Sequence, residues 1–108
     1  MSGHVDWVGC GIDIDSKNIA DMTPLMVASM YGKFEFAQSL VMHGAGVNIC
    51  KDTGETAILF AAYYGHFEIV KLLQQHGADV TVRDSLGNSV LHCAASSGSL
   101  ECLKLLLD

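Results

Sequence analysis

The apolar residues of this chain fall into blocks that return at a constant interval. Blocks that begin at Thr23, Thr56 and Ser89 lie 33 residues apart. Each block holds apolar residues at helical spacing, then a glycine, then a second apolar stripe at helical spacing. Because the interval is kept along most of the chain, the pattern predicts a stack of helix pairs, with one pair in each repeat.

Polar residues and glycines mark where these helices begin and end. Thr23, Thr56 and Ser89 are predicted N-caps, whose hydroxyls accept hydrogen bonds from free N–H groups of the first turn. Glycines are predicted to end the helices. They are Gly32, Gly65 and Gly98 after the first helices, and Gly44 and Gly77 after the second. The glycines after the first helices are predicted to adopt a left-handed conformation. Loops resembling β-hairpins are predicted between the pairs, with turns near Asp52-Thr53-Gly54 and Ser85-Leu86-Gly87.

These offsets predict a single domain with internal repeats. Residues 1–108 divide into a partial repeat at 5–17, two repeats at 18–50 and 51–83, and a repeat at 84–108 that stops in its second helix. Neither end shows the polar capping repeat that solenoids need for solubility. We therefore expect a piece of a longer repeat array, with uncapped ends that are able to self-associate.

This pattern resembles the ankyrin repeat family. The second repeat carries the resemblance most fully, with Gly54-Glu55-Thr56-Ala57 at its start, Ala61-Ala62 in its first helix, Gly65-His66 between its helices and Gly77-Ala78-Asp79 at its end. The resemblance implies an all-α solenoid of stacked antiparallel helix pairs joined by β-hairpin-like loops. It also implies a binding module, with His66 bracing a turn.

The chain departs from the family pattern at two kinds of position. The histidine of the family's Thr-Pro-Leu-His tetrapeptide is replaced by Met26 and Leu59 in the first two repeats and kept only as His92. We therefore expect looser polar bracing and more apolar contact between the first helices there. Asp21 stands where Gly54 and Gly87 occupy the later turns, and since Asp tolerates a positive φ less readily, we expect a changed first hairpin.

Composition excludes several classes of protein. Half of the residues are hydrophobic and 17% are charged, which is unlike a disordered chain. The net charge of −6 argues against non-specific nucleic-acid binding, which needs clustered basic residues. No apolar run reaches the roughly 18 to 20 residues of a membrane span, so we expect no membrane insertion. We also find no secretory signal and expect an intracellular protein, cytoplasmic or nuclear.

The sequence predicts neither an enzyme nor a cofactor. The four cysteines, Cys10, Cys50, Cys93 and Cys102, form no C-x-x-C pair and are predicted to be reduced thiols that fill small apolar sites. Cys93 and Cys102 together with His92 match no standard zinc spacing, so no metal site is predicted. No phosphate loop, dinucleotide fingerprint or nucleophile elbow is present, so we predict no catalytic residues.

The resemblance places partner binding on a concave face built from hairpin tips and first helices. Tyr and Met are enriched in the cores of protein interfaces, and they are concentrated in the first two repeats of this surface. Asp52 and Glu55 give it an acidic edge, which suits a protein or peptide with apolar anchors and a Lys or Arg. Carried over to this sequence, the predicted surface contains Ile19, Met22, Met30, Tyr31, Asp52, Thr53, Glu55, Tyr63, Tyr64, Arg83, Leu86 and Asn88.

The resemblance also implies a modification site at Asn48. An asparagine at this place, after Val47, can be the substrate of an asparaginyl hydroxylase in ankyrin proteins. We expect hydrogen bonding within the hairpin to be its main role and hydroxylation to be secondary.

Three functional interpretations remain open at this point. The leading one is a protein–protein interaction module that acts as an adaptor or scaffold. The first alternative is a regulatory ankyrin segment of a larger enzyme or channel. The second is an engineered ankyrin binder, which the irregular repeats, four cysteines and five methionines argue against.

Overall fold

A computed structural model describes residues 14–107 of the chain. This part contains six α-helices and no strand of a sheet. They are α1 (Pro24–Tyr31), α2 (Phe34–Met42), α3 (Ala57–Tyr63), α4 (Phe67–Gln75), α5 (Val90–Ser97) and α6 (Leu100–Leu107). The predicted all-α class is therefore confirmed. Most of the partial repeat predicted at 5–17, and the thiol of Cys10, lie outside the described residues.

The helices form two layers of three. In one layer, α3 contacts both α1 and α5, and in the other α4 contacts both α2 and α6. Each helix of the first layer also contacts the next helix along the chain, which makes three pairs. Isolated antiparallel bridges, Cys50 with Thr56 and Arg83 with Ser89, close the loops before the second and third pairs. In residues 14–107, no helix is long and apolar enough to cross a membrane.

The core runs through the stack between the two layers. Every residue from Ala57 to Ala62 is buried, because α3 has a neighbour on each side. Fully burying a side chain such as Ile58 or Leu73 contributes roughly 1.5 to 3 kcal/mol. Met26 and Leu59, which replace the family histidine, are buried as well, in agreement with the predicted apolar contact between first helices.

The N-cap prediction holds for two of the three first helices. The hydroxyl of Thr23 accepts from the N–H of Met26 at 3.3 Å, and that of Ser89 accepts from the N–H of His92 at 3.3 Å. The prediction was wrong for Thr56, which makes no capping bond and whose buried hydroxyl has no hydrogen-bond partner among the described residues. The backbone of Thr56 is extended like that of Thr23 and Ser89, with φ −113° and ψ 174°, so the missing bond is not explained by the backbone conformation.

The first hairpin keeps the turn of the other two at Asp21 but lacks, within residues 14–107, the antiparallel bridge that closes each of them, so the expected change is seen in the bridge and not in the turn. The N–H of Asp21 donates to the carbonyl oxygen of Asn18 at 2.9 Å, and the N–H of Gly54 makes the equivalent bond at 2.8 Å. Asp21 adopts a φ of 65°. Its carboxylate accepts from the N–H of Asp52 at 2.8 Å and pairs with Lys17 at 3.5 Å, and these contacts offset the cost of the left-handed backbone.

The cysteine prediction was correct for two residues and wrong for one. Cys93 and Cys102 are free thiols buried in the core, but Cys50 is exposed on the hairpin before α3. The carbonyl oxygen of Cys50 accepts from the Lys17 ammonium at 2.7 Å. The backbone of Cys50 is therefore held between hairpins, while its thiol remains accessible.

Candidate functional site

A groove of about 340 Å³ lies between α3 and α5 and is closed on one side by the hairpins that precede these helices. The residues that form it come from the second and third helix pairs. Its lining consists of Glu55, Leu59, Phe60, Tyr63, Tyr64, Asp84, Leu86, Asn88, His92, Cys93 and Ser96.

The groove has a buried apolar floor and a more exposed aromatic wall. Leu59 and Phe60 are buried, whereas Tyr63 and Tyr64 are 51% and 47% exposed. The tyrosine rings pack edge to face, with centroids 4.9 Å apart and planes at 88°, which is a favoured aromatic geometry. Leu86 is 84% exposed at the tip of the third hairpin. The groove therefore offers an apolar surface to solvent.

Two carboxylates lie at the edge of the groove, one on each hairpin. Glu55 accepts a hydrogen bond from the hydroxyl of Thr53. Asp84 accepts from the N–H groups of Leu86 and Asn88, each at 2.9 Å. These hydrogen bonds, chiefly the one from the N–H of Asn88, hold the pKa of Asp84 below its usual value. This carboxyl therefore stays ionised at neutral pH.

Two groove residues of reactive type, Cys93 and His92, are constrained by burial and by a hydrogen bond, respectively. Burial, and then the charges of Asp84 and Glu55, raise the pKa of the Cys93 thiol to about 11, so the thiol is not an activated nucleophile at neutral pH. The Nδ1 atom of His92 lies 2.8 Å from the hydroxyl of Ser89 as part of a capping box. Within residues 14–107, no group of three or more His, Cys, Asp or Glu side chains could hold a metal ion.

Comparison with known families decides the identity of the fold. A family model described as ankyrin repeats in three copies matches residues 3–84 and 25–108. This chain belongs to the ankyrin repeat family. No curated protein matches it. Ankyrin repeats are generally protein–protein interaction modules and are not typically catalytic.

The ankyrin groove brings together five of the twelve residues predicted for partner binding. These five are Glu55, Tyr63, Tyr64, Leu86 and Asn88. Six others lie outside the lining, namely Ile19, Met30, Tyr31, Asp52, Thr53 and Arg83. Of these six, Met30 is half-buried and the remainder are exposed.

Met22 does not lie on an exposed surface, contrary to the sequence-based expectation. Its side chain is only 7% exposed and belongs to the core. Met22 immediately precedes the N-cap Thr23, a position from which an apolar side chain folds back over the first turn of the helix. Val27 of that turn lines the same small depression as Met22. Met22 is therefore part of the packing that fixes the entry into α1.

The twelve predicted residues do not include six that line the ankyrin groove. They are Leu59, Phe60, Asp84, His92, Cys93 and Ser96. Leu59 and His92 occupy the same repeat position, one repeat apart, and that position was interpreted only as bracing. The available signal was this shared position, because equivalent residues of stacked repeats lie next to each other.

Asn48 connects two repeats of the ankyrin stack. Its side-chain oxygen accepts from the N–H of Asp79 at 2.7 Å, and its side-chain nitrogen donates to the carbonyl oxygen of Gly77 at 3.3 Å. The expectation of hydrogen bonding within its own hairpin was therefore wrong, because both partners belong to the following loop. Hydroxylation of Asn48 stays a prediction.

Proposed function

We propose that this ankyrin domain is an adaptor or scaffold module, acting in the cytoplasm or nucleus, that binds a segment of a partner protein in the groove between α3 and α5. One observation carries the proposal: Tyr63 and Tyr64, each half-exposed, form a packed aromatic wall above an apolar floor. Tyrosines of this kind present a large contact area and lose little conformational entropy on binding, and they are frequent hot spots.

The tyrosine wall is specific to one step of the stack. The third repeat has Ser96 and Ser97 at the positions equivalent to Tyr63 and Tyr64. The bulky side chains of α3 therefore stand next to small ones on α5, which leaves the space of the groove between them. A partner side chain that enters this space would bury its apolar surface against Leu59 and Phe60.

The chemistry of the lining supports binding without reaction. Cys93 is protonated at neutral pH, and His92 is engaged with Ser89. The groove therefore combines a recognition surface with a thiol that is protonated and an imidazole that is already hydrogen-bonded. This is the composition expected of a docking site for another protein.

The proposal can be tested by mapping where peptides bind. Short peptides selected from a random display library against the wild-type domain would be added to isotope-labelled protein, and amide chemical shifts would be followed. We expect the largest shifts at the backbone of α3, α5 and the third hairpin. Shifts concentrated on α2, α4 and α6 would show that the groove is not the binding site.

A further inference from the structure

The charges along the groove are of one sign. Glu55 and Asp84 come from two different hairpins, and the lining contains no Lys or Arg. Neither carboxylate forms an ion pair within residues 14–107. The chain as a whole carries a net charge of −6. A ligand that enters the groove therefore meets two carboxylates beside an apolar surface.

Both carboxylates are held in place before any ligand arrives. The Thr53 hydroxyl orients Glu55, and two backbone N–H groups orient Asp84. Oriented carboxylates lose little side-chain entropy when they bind a cation. Their influence also reaches the floor of the groove, since both charges help to raise the pKa of Cys93.

The aromatic rings of this region suit a cation as well. The Lys51 ammonium already lies 5.9 Å from the centroid of the Phe60 ring, within the range of a cation–π contact. Lys51 does not line the groove, and the half-exposed rings of Tyr63 and Tyr64 remain accessible beside it. An ammonium or guanidinium group in the groove could thus contact an aromatic face and a carboxylate together.

We infer that the groove selects partner segments in which a Lys or Arg stands beside a large apolar side chain. The inference rests on the proposed function and specifies its ligand. The aliphatic stem of Lys or Arg would cover the apolar floor while its charged end meets Glu55 or Asp84. A free metal ion fits less well, because the described residues provide no group of three metal-binding side chains.

The test uses the peptides selected on the wild-type domain and one charge-removing variant. Glu55→Gln removes a groove charge and keeps the shape of the side chain. Glu68→Gln makes the same change on α4, where the side chain is exposed and does not line the groove. We expect Glu55→Gln to weaken peptide binding about fivefold to tenfold and Glu68→Gln to change it less than about twofold.

Substitution in the peptide gives a second measurement that does not depend on folding of the variant. Replacing the basic residue of a selected peptide by norleucine or citrulline should weaken binding to the wild-type domain. The same replacement should have little effect on Glu55→Gln, because the charge partner is already gone.

The possible outcomes separate this inference from the proposed function. Peptides that map to the groove but lack a basic residue, or that bind Glu55→Gln as well as wild type, would overturn the inference and leave the proposed function standing. Selected peptides that map elsewhere would overturn both. Groove-directed peptides that are enriched in Lys or Arg and depend on Glu55 would establish both.

Discussion

The imidazole of His66 occupies the space that a side chain at Gly32 would need. A Cβ atom on Gly32 would lie 2.6 Å from Cε1 of the His66 ring. The ring is held there by its Nε2 atom, which donates to the carbonyl oxygen of Met30 at 3.1 Å. The glycine that ends α1 therefore has two functions, since it adopts a φ of 71° and also makes room for the next repeat.

Gly32→Ala is expected to destabilise the domain more than Gly98→Ala. Both glycines have nearly the same positive φ, but a Cβ on Gly98 meets no atom within 4 Å. The backbone cost of about 1 to 2 kcal/mol applies to both variants, and displacement of the His66 ring adds about 1 to 3 kcal/mol to Gly32→Ala alone. Urea unfolding measures both values.

The His66→Ala background serves as the control for this prediction. With the ring removed, Gly32→Ala should cost only the backbone contribution, so the two substitutions should be strongly non-additive. Additive effects would mean that the ring and Gly32 do not compete for the same space.

Asn48→Ala should loosen the connection between consecutive repeats. It removes the acceptor of the Asp79 N–H and the donor to the Gly77 carbonyl oxygen, and we expect a loss of about 1 to 2 kcal/mol in the free energy of unfolding. Asn48→Asp keeps the acceptor and should cost less. Asp15 already makes the same kind of contact one repeat earlier, to the N–H of Gly46 at 2.9 Å. Equal losses for the two variants in urea unfolding would contradict this account.

Thr56→Val is expected to leave stability unchanged or to raise it by up to about 1 kcal/mol. The Thr56 hydroxyl is buried without a partner among the described residues, so the methyl group of Val removes a desolvation cost and keeps the shape. Thr23→Val is the matched control. Because the Thr23 hydroxyl caps α1, this substitution should cost about 1 kcal/mol. A thermal melt in which Thr56→Val is the less stable of the two would refute the assignment.

The three thiols within residues 14–107 should react with iodoacetamide in a fixed order. Exposed Cys50 should be alkylated first, and buried Cys93 and Cys102 slowly, as read by mass spectrometry of digested protein. Burial raises the pKa of Cys93 to about 11 in the folded protein, so the folded state holds this proton more tightly than the unfolded state. The contribution of Cys93 to the free energy of unfolding is fully present below the ordinary thiol pKa and is lost as the pH rises toward 11. We therefore expect stability to fall in that alkaline range. Fast labelling of Cys93 near neutral pH would be inconsistent with its burial.

The repeat could be predicted from sequence because its signals are local. The left-handed glycines Gly32, Gly65 and Gly98 and the start of each helix depend on a few neighbouring residues. Thr56 was an exception, because a residue type suited to an N-cap does not by itself determine whether its hydroxyl forms the capping bond. Asp21 was another, since its stabilising contact to Asp52 comes from the next hairpin.

The groove was only partly predictable because it is formed between repeats. Tyr63 and Tyr64 were identified from their positions on the first helix. Asp84 and Cys93 escaped notice because they become part of a site only when the third repeat packs against the second. Met22 shows the opposite error, since a residue predicted to lie on the binding surface is buried in the core just before α1.

If the tyrosine wall formed by Tyr63 and Tyr64 at the end of α3 binds the partner, removing both rings should weaken binding. The most direct measurement is calorimetric titration of one selected peptide into wild type, Tyr63→Ser/Tyr64→Ser and Tyr31→Ser. Serine already occupies the equivalent positions of the third repeat, and Tyr31 is the equivalent of Tyr64 in the first. We predict that the double variant loses at least about tenfold in affinity while Tyr31→Ser binds within about twofold of wild type. Unchanged affinity of a folded double variant, or an equal loss in Tyr31→Ser, would contradict the account.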